Sequence, residues 1–443
     1  MQEVTLHQML DARERRAALQ KSLINTYKTP LVCFTMNIAG PIKTSPLIER
    51  AFFEGIEILE SNLSPKSILH REIDVSVTGC QAMFCVSMDA QKLKTICTAI
   101  EESCPLGRLF DMDVLDTGGA KLSRDTLRSC IVCGASGREC AAGRLHTVPQ
   151  LQTATRKIIT DHFFSIDCHM FADLATDSLL EEVYTTPKPG LVDRRNNGSH
   201  NDMDIHTFVK SAHSLKPYFH QCIDWGHQTW DKPPAATFKK LREAGIAAEN
   251  TMYQATGGVN THKGAIYSFG VICGALGRLW KADSPAPNLE DVFSLCSEMT
   301  RDAVKSDFQS IDKTTAGGRS YLDYGLTGIR GEVVSGFSSV KHIGLPVFLK
   351  ALDKGFSQND AGSITLVHLM SQVEDTTLYN RGGKSGAAFA QKTAKELLKA
   401  SYFPTIAQLE QLDNEFIARN LSAGGCADLL AVTYFLHKLD LPK

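Results

Sequence analysis

Asp111 and Asp113 stand two residues apart in the run Phe110-Asp111-Met112-Asp113-Val114. On a β-strand successive side chains alternate, so the two carboxylates share one face and the apolar residues the other. Such a pair can hold Mg²⁺ together with phosphate oxygens, the arrangement nucleotidyl and phosphoryl transferases use for in-line attack. The residues alone fit equally simple chemistry, a solvated strand face whose acids guard an edge. Upstream, Lys43 follows Gly40-Pro41 at a strand-to-helix passage, where free backbone N–H groups suit an anion or merely make a turn. Downstream, Lys121, Arg124 and Arg128 either neutralise phosphates or form a wet helix face. Cys130, Cys133, Cys140 and His146 are ligands of the type found in Cys₃His zinc sites, but the second half of their spacing is loose. Ordinary buried thiols are the plainer reading, with structural zinc as the alternative.

A second family of clusters lies further along. The run from Thr186 to Asp204 alternates Pro, Gly, basic, acidic and imidazole residues, with Lys188, Arg194, His200, Asp202 and Asp204 in one stretch. A Mg-triphosphate site needs this mixture: carboxylates for the metal, Lys and Arg for phosphate oxygens. We expect Asp202 and Asp204 at the metal. Asn260 and Lys263 sit in a Gly-rich approach to an apolar helix; Arg319 and Glu332 belong to a third Gly-rich cluster. Arg381 and Lys384 belong to a fourth that starts at Asp375, and Asp428 closes a fifth, Gly424–Asp428. Each alone reads as a capped helix end; so many charged, Gly-rich loops together favour a phosphate-handling site. Gly383-Lys384-Ser385 is not a P-loop, because Leu378 stands where the first Gly belongs and no strand precedes it.

The elements that must carry these residues change character along the chain. Before about residue 150, short strands (LVCFTMNI, IDVSV, AMFCVSM, GRLFDMDVLD) alternate with helical periods at 12–27, 46–60 and 90–102, an α+β pattern. Thr78-Gly79 is the expected hairpin turn. Beyond it, helical periods at 205–223, 237–256, 264–280, 289–307, 361–372 and 386–399 predict an all-α domain with its polar residues on interhelical loops. The join is expected within 148–168, giving domains 1–164 and 165–443. The 443 residues are 43% hydrophobic and 22% charged, which excludes a disordered or fibrous chain. With 47 Lys+Arg against 49 Asp+Glu, no basic excess points to nucleic acid. The apolar stretch between Lys263 and Arg278 is too short for the roughly 20 residues a membrane span takes. Thirteen scattered cysteines with no apolar leader predict free thiols in the cytoplasm.

The motifs resemble two known families joined end to end. FTMNIAGPIK, GRLFDMDVLD and RSCIVC…CAAGRLH resemble the citrate lyase holo-acyl-carrier-protein synthases, which are apo-citrate lyase phosphoribosyl-dephospho-CoA transferases. EVYTTPKPGLVDRRNNGSHNDMD, GGVNTHKGAIYSFG, GIRGE, DTTLYNRGGKSG and SAGGCADLLA resemble triphosphoribosyl-dephospho-CoA synthase. The resemblance implies an N-terminal α+β, nucleotidyltransferase-like domain and a C-terminal all-α domain of pentosyltransferase type. It implies that ATP and 3'-dephospho-CoA give 2'-(5''-triphosphoribosyl)-3'-dephospho-CoA and adenine. The phosphoribosyl-dephospho-CoA would then pass to a serine of the citrate lyase acyl carrier protein (gamma chain), releasing pyrophosphate. Under it Asp111 and Asp113 become catalytic metal ligands, and Lys121, Arg124 and Arg128 a surface for an acidic carrier. Lys188, Arg194, Lys263, Arg319 and Arg381 would hold phosphates, and Glu332 or Asp428 would be acid or base. The same chemistry on a malonate decarboxylase carrier, or a nucleotide-binding module without catalysis, are the competing readings.

Overall fold

The computed structural model describes residues 2–124, 127–284, 287–311 and 314–440. It divides into two compact units, Met1–Ile166 and Asp167–Lys443.

The first unit is built on one four-stranded antiparallel sheet. In chain order its elements are α1 (Leu6–Tyr27), β1 (Leu31–Met36), α2 (Pro46–Ser61), β2 (Ile68–Ser76), β3 (Gly79–Val86), α3 (Ala90–Ser103), β4 (Phe110–Leu115) and the short α4 (Gly137–Ala142). The strand order is β2-β3-β1-β4. Cys33 faces Asp113 and Thr35 faces Asp111 across the β1–β4 ladder. One sheet face carries Val32, Phe34, Phe84, Phe110, Met112 and Val114, all buried. Helix α2 closes it: Phe52 stacks on Phe34, and Gly55 lies so near that a Cβ there would meet Phe34 at 2.5 Å. On the other face Leu23 and Ile24 of α1 pack on Leu31, Cys33, Met83 and Cys85. Asp111 and Asp113 lie on that second face, as the alternation of β4 requires.

The second unit is helical. A single helix, α5 (Val148–Tyr184), contains the division between units; the stretches 149–164 and 171–183 are one helix because no Gly or Pro separates them. It is followed by α6 (Ile205–Gln228), α7 (Pro234–Ala255), α8 (Lys263–Leu279), α9 (Leu289–Gln309), α10 (Ala316–Tyr324), α11 (Gly328–Val334), α12 (Leu345–Asp353), α13 (Gln358–Gln372), α14 (Thr376–Ala400), α15 (Ile406–Ala418) and α16 (Gly424–Asp440). Helix α8 is buried along nearly its whole length. Gly226 and Gly277 explain its close packing on α6, since a Cβ at either would meet the other helix's backbone at 2.1 or 1.9 Å.

Two expectations are corrected here. The third Gly-rich cluster is not a loop: Thr315 caps α10, accepting from Gly318 N, and Gly328 opens α11. The fourth is a helix as well, since Asp375 caps α14 and the helix runs on through Arg381; only Gly383, at φ 60°, departs from helical geometry.

Candidate active sites

In the first unit the site forms at the polar end of the α1-covered sheet face. Burial, then the charge of Asp113, holds the Asp111 carboxyl above its ordinary range, against the pull of Arg128 and Lys121. Lys121 pairs with Asp113 at 2.5 Å. Arg16 of α1 reaches the same face and donates to Gln81. Lys43 donates to the Ile38 carbonyl, and burial followed by the nearby Arg13 charge lowers its ammonium. Arg124 and Arg128 are otherwise engaged. Both pair with Glu101, which is almost fully buried, and Arg128 also donates to the Phe110 carbonyl at 2.7 Å. Glu101 accepts from Met112 N at 2.7 Å, and buried Lys94 donates to Met112 O at 3.2 Å. These two side chains of α3 take the backbone groups that edge strand β4 would leave open. The two arginines therefore serve the strand, not a free docking patch.

In the second unit two cavities of about 180 and 700 Å³ share Asn260, Lys263, Gly264, Thr377 and Asp428, and so make one cleft. Its smaller end holds a buried ion pair, Lys188 with Glu182 at 2.5 Å. His200 lines that end and bonds Ser422 Oγ at 2.9 Å; burial, then Arg381, lowers its pKa. His262 lines it as well. Its Nδ1 is 2.7 Å from Ser211 Oγ, which accepts from Thr261 Oγ1. Burial, then Lys188, pushes the imidazole down to about 3, and Nε2 is buried with no protein partner. His262 is thus a neutral imidazole in the cleft wall.

Asp428 sits at the junction. Burial, then the carboxylates of Glu182 and Asp375, pushes it well above the ordinary carboxyl range. Its Oδ2 lies against Gly264 in the first turn of α8, where a Cβ would come within 2.0 Å. At the start of α8, Lys263 N donates to Asn260 Oδ1 at 3.3 Å, while the N-cap residue His262 gives no side-chain cap. In the larger end, Glu332 is raised by burial, but both its oxygens accept from Ser339, at 2.7 and 2.9 Å. Asp375 is buried and joins two helices, accepting from Thr377 N and Leu378 N of α14 and from Cys426 N of α16. Lys263 pairs with Glu249 at 2.7 Å on the cleft wall.

The cleft therefore gathers Lys188, His200, Asn260, Lys263, Glu332 and Asp428 of the expected set. It does not gather the others. Arg194 donates to Asn359 at 2.8 Å and Arg319 to the Thr314 carbonyl. Arg381 clamps Ser199 O and Asn420. None of these three, nor Lys384, lines either cavity. Asp204 caps α6 through Thr207, and Asp202 is largely exposed, 3.8 Å from His200. Sequence reasoning missed Glu182, His262, Asp375 and Arg330 as cleft residues. A buried lysine needs an acid, so Glu182 had a signal in Lys188; Asp375 was visible as a helix cap, not as a cleft wall.

Comparison with known proteins shows which families the two units match. Residues 168–443 match the family ATP:dephospho-CoA triphosphoribosyl transferase, and residues 4–162 match the family apo-citrate lyase phosphoribosyl-dephospho-CoA transferase. The chain is 36% identical to Protein CitXG of Haemophilus influenzae over 98% of its own length and 96% of that protein's. It is 33% identical to Protein CitXG of Leuconostoc mesenteroides subsp. cremoris, over 99% and 98%. The chain belongs to both transferase families, fused in one polypeptide. A probable 2-(5''-triphosphoribosyl)-3'-dephosphocoenzyme-A synthase of Vibrio cholerae is 42% identical and matches 60% of the chain, covering 87% of that protein. The protein is a bifunctional transferase for synthesis and attachment of the citrate lyase prosthetic group. Among the described residues, no helix is long and apolar enough to cross a membrane.

Proposed function

We propose that the cleft of the second unit joins ATP to 3'-dephospho-CoA with Asp428 as the acid. The ribose 2'-hydroxyl forms a bond to the anomeric carbon of ATP as the bond from that carbon to adenine breaks. Adenine leaves more readily if its departing nitrogen is protonated, so the reaction needs a carboxyl that still holds its proton. The observation that carries the reading is the Asp428 carboxyl, raised by burial and by two neighbouring acids where the cavities meet. The hydroxyl proton must go to a base. Glu332 keeps lone pairs for it beside its two bonds from Ser339. Lys263 and the N-terminal end of α8 face the triphosphate, and His262 and Asn260 bind the sugar or base. Arg319 and Arg381 act outside the cleft by holding backbone carbonyls, and Arg194 by holding Asn359.

In the first unit, Asp111 and Asp113 are the pair at which a serine hydroxyl of the citrate lyase acyl carrier protein attacks the α-phosphorus and pyrophosphate leaves. Mg²⁺ fits there, between two carboxylates on one strand face, and would neutralise the charge of the phosphates. Asp113 also orients Lys121 toward the same face. In the second unit, Asp202 and Asp204 do not fit as a Mg²⁺ pair, because one is a helix cap and the other exposed. The test is mass spectrometry of the apo-carrier after incubation with the protein, ATP and 3'-dephospho-CoA, with adenine followed in parallel. The reading predicts phosphoribosyl-dephospho-CoA mass on one serine and free adenine. Carrier of unchanged mass, or ATP consumed without adenine, overturns it.

A further inference from the structure

Residues 117–147 of the first unit hold almost no core. Between Val114 and Ile159, Cys140 is the one buried apolar side chain among the described residues. A segment so thin in apolar burial needs another restraint to keep one shape. The geometry points to a metal. We infer that Cys130, Cys133, Cys140 and His146 form a structural zinc site that ties this segment together beside the Asp111/Asp113 strand.

Four observations carry it. First, the ligand atoms of all four residues lie within 4.8 Å of one another. Cys133 Sγ is 3.5 Å from Cys140 Sγ and 3.3 Å from His146 Nε2. Tetrahedral Zn–S and Zn–N bonds of about 2.3 and 2.0 Å put ligand atoms roughly 3.5–3.8 Å apart, so an ion fits with small shifts. Second, Cys130 to Gly134 forms a tight turn shaped to expose sulfur. Gly134 N donates to Cys130 O at 3.0 Å, and Cys130 N donates to Ala135 O. Val132 N points at Cys130 Sγ, 3.4 Å away, as it would to stabilise a thiolate ligand. Gly134 takes φ 75°, with nothing near its missing Cβ, so glycine serves the turn itself. Third, the other two ligands come from a separate small element: Ser136 caps α4, Cys140 lies within it, and His146 follows its end. Two ligands from a turn, one from a helix and one from the segment after it close a loop that no one of these could close alone. Fourth, the closed loop is tied to the catalytic strand. Arg108 donates to Ser129 O, and Arg128, two residues before Cys130, donates to Phe110 O.

Binding requires three thiolates and a neutral imidazole, so three thiol protons leave to solvent as the metal enters. No redox change is involved. The rival arrangement is a Cys133–Cys140 disulfide, which would need an oxidant and would leave Cys130 and His146 without a purpose.

The test uses the full chain. Elemental analysis of protein purified without chelator should give about one zinc per chain, released by a mercurial thiol reagent. Refolding with Co²⁺ should give thiolate-to-cobalt charge-transfer absorption and the strong visible bands of a tetrahedral site. Cys133→Ser should lower zinc to below about 0.2 per chain, while His146→Cys should keep it and shift the cobalt bands toward a four-sulfur set. If Cys133→Ser fails to fold, the wild-type metal content and cobalt spectrum still decide. Three results would overturn the inference: wild-type protein refolded with zinc holding less than about a tenth of an equivalent, a disulfide-linked Cys133–Cys140 peptide from protein prepared with reductant excluded, or full zinc content in folded Cys133→Ser.

Discussion

Asp428 shows how one position can be both a steric and an electrostatic arrangement. Its carboxyl is pressed on Gly264 and faces Glu182 and Asp375, so ionising it costs more than in water. The sign for catalysis follows. In the proposed reaction the neutral carboxyl is the acid, and it persists above the ordinary carboxyl range, so adenine release should fall as pH rises through the raised value. Asp428→Asn should lower adenine release by about 10²-fold or more and remove that alkaline limb; a pH–rate profile of adenine formation checks both. Gly264→Ala should act likewise without touching a titratable group, because its Cβ displaces the Asp428 oxygen; kinetics of the folded variant test it. Lys188 and Glu182 lead to a stability prediction. Lys188→Met alone strands a buried carboxylate and should cost about 3–5 kcal/mol. Adding Glu182→Leu should recover most of that, as urea denaturation would show. At this scale much was legible in the sequence. Lys188, His200, Asn260, Lys263, Glu332 and Asp428 were recognisable by type and setting. Arg194 and Arg381 misled because a guanidinium suited to phosphate is equally suited to amide and backbone carbonyl oxygens, and sequence does not say which it meets.

At the scale of elements, the polar residues that look catalytic often hold helices and strands in place. Glu101 and Lys94 seal strand β4 from helix α3, and Glu101 gathers Arg124 and Arg128. Glu101→Gln should cost about 1–3 kcal/mol, leaving Arg124 with Glu102 and Arg128 with only the Phe110 carbonyl; thermal unfolding of the variant measures it. Asp375 links α14 to α16 through three backbone N–H groups. Asp375→Ala should destabilise by about 2 kcal/mol, more than loss of an ordinary cap, because the Cys426 N–H is orphaned too. The strand alternation of β4, the hairpin at Thr78-Gly79 and most helices followed from periodicity. Helices α10 and α11 did not, since Gly317, Gly318, Gly325, Gly328 and Gly331 read as loop residues. The requirement at one of them is local to α11: a Cβ at Gly331 would meet Oγ1 of the N-cap residue Thr327 at 1.9 Å.

For the whole molecule, the two units answer two chemical demands. In the proposed reactions one needs a polar cleft that protonates a leaving base; the other needs a pair of strand carboxylates that a carrier serine can reach. Joining them on one chain raises the local concentration of the intermediate around the second site. Each unit keeps its own acids, so the two reactions should fail independently. The most direct test compares Asp428→Asn and Asp111→Asn in one assay that follows adenine and carrier mass together. The account predicts that Asp111→Asn still releases adenine but leaves the carrier unmodified. Asp428→Asn should release little adenine, yet load the carrier when given pre-made triphosphoribosyl-dephospho-CoA. If either substitution stops both reactions in folded protein, or Asp428→Asn releases adenine at the wild-type rate, the assignment of one reaction to each unit is contradicted.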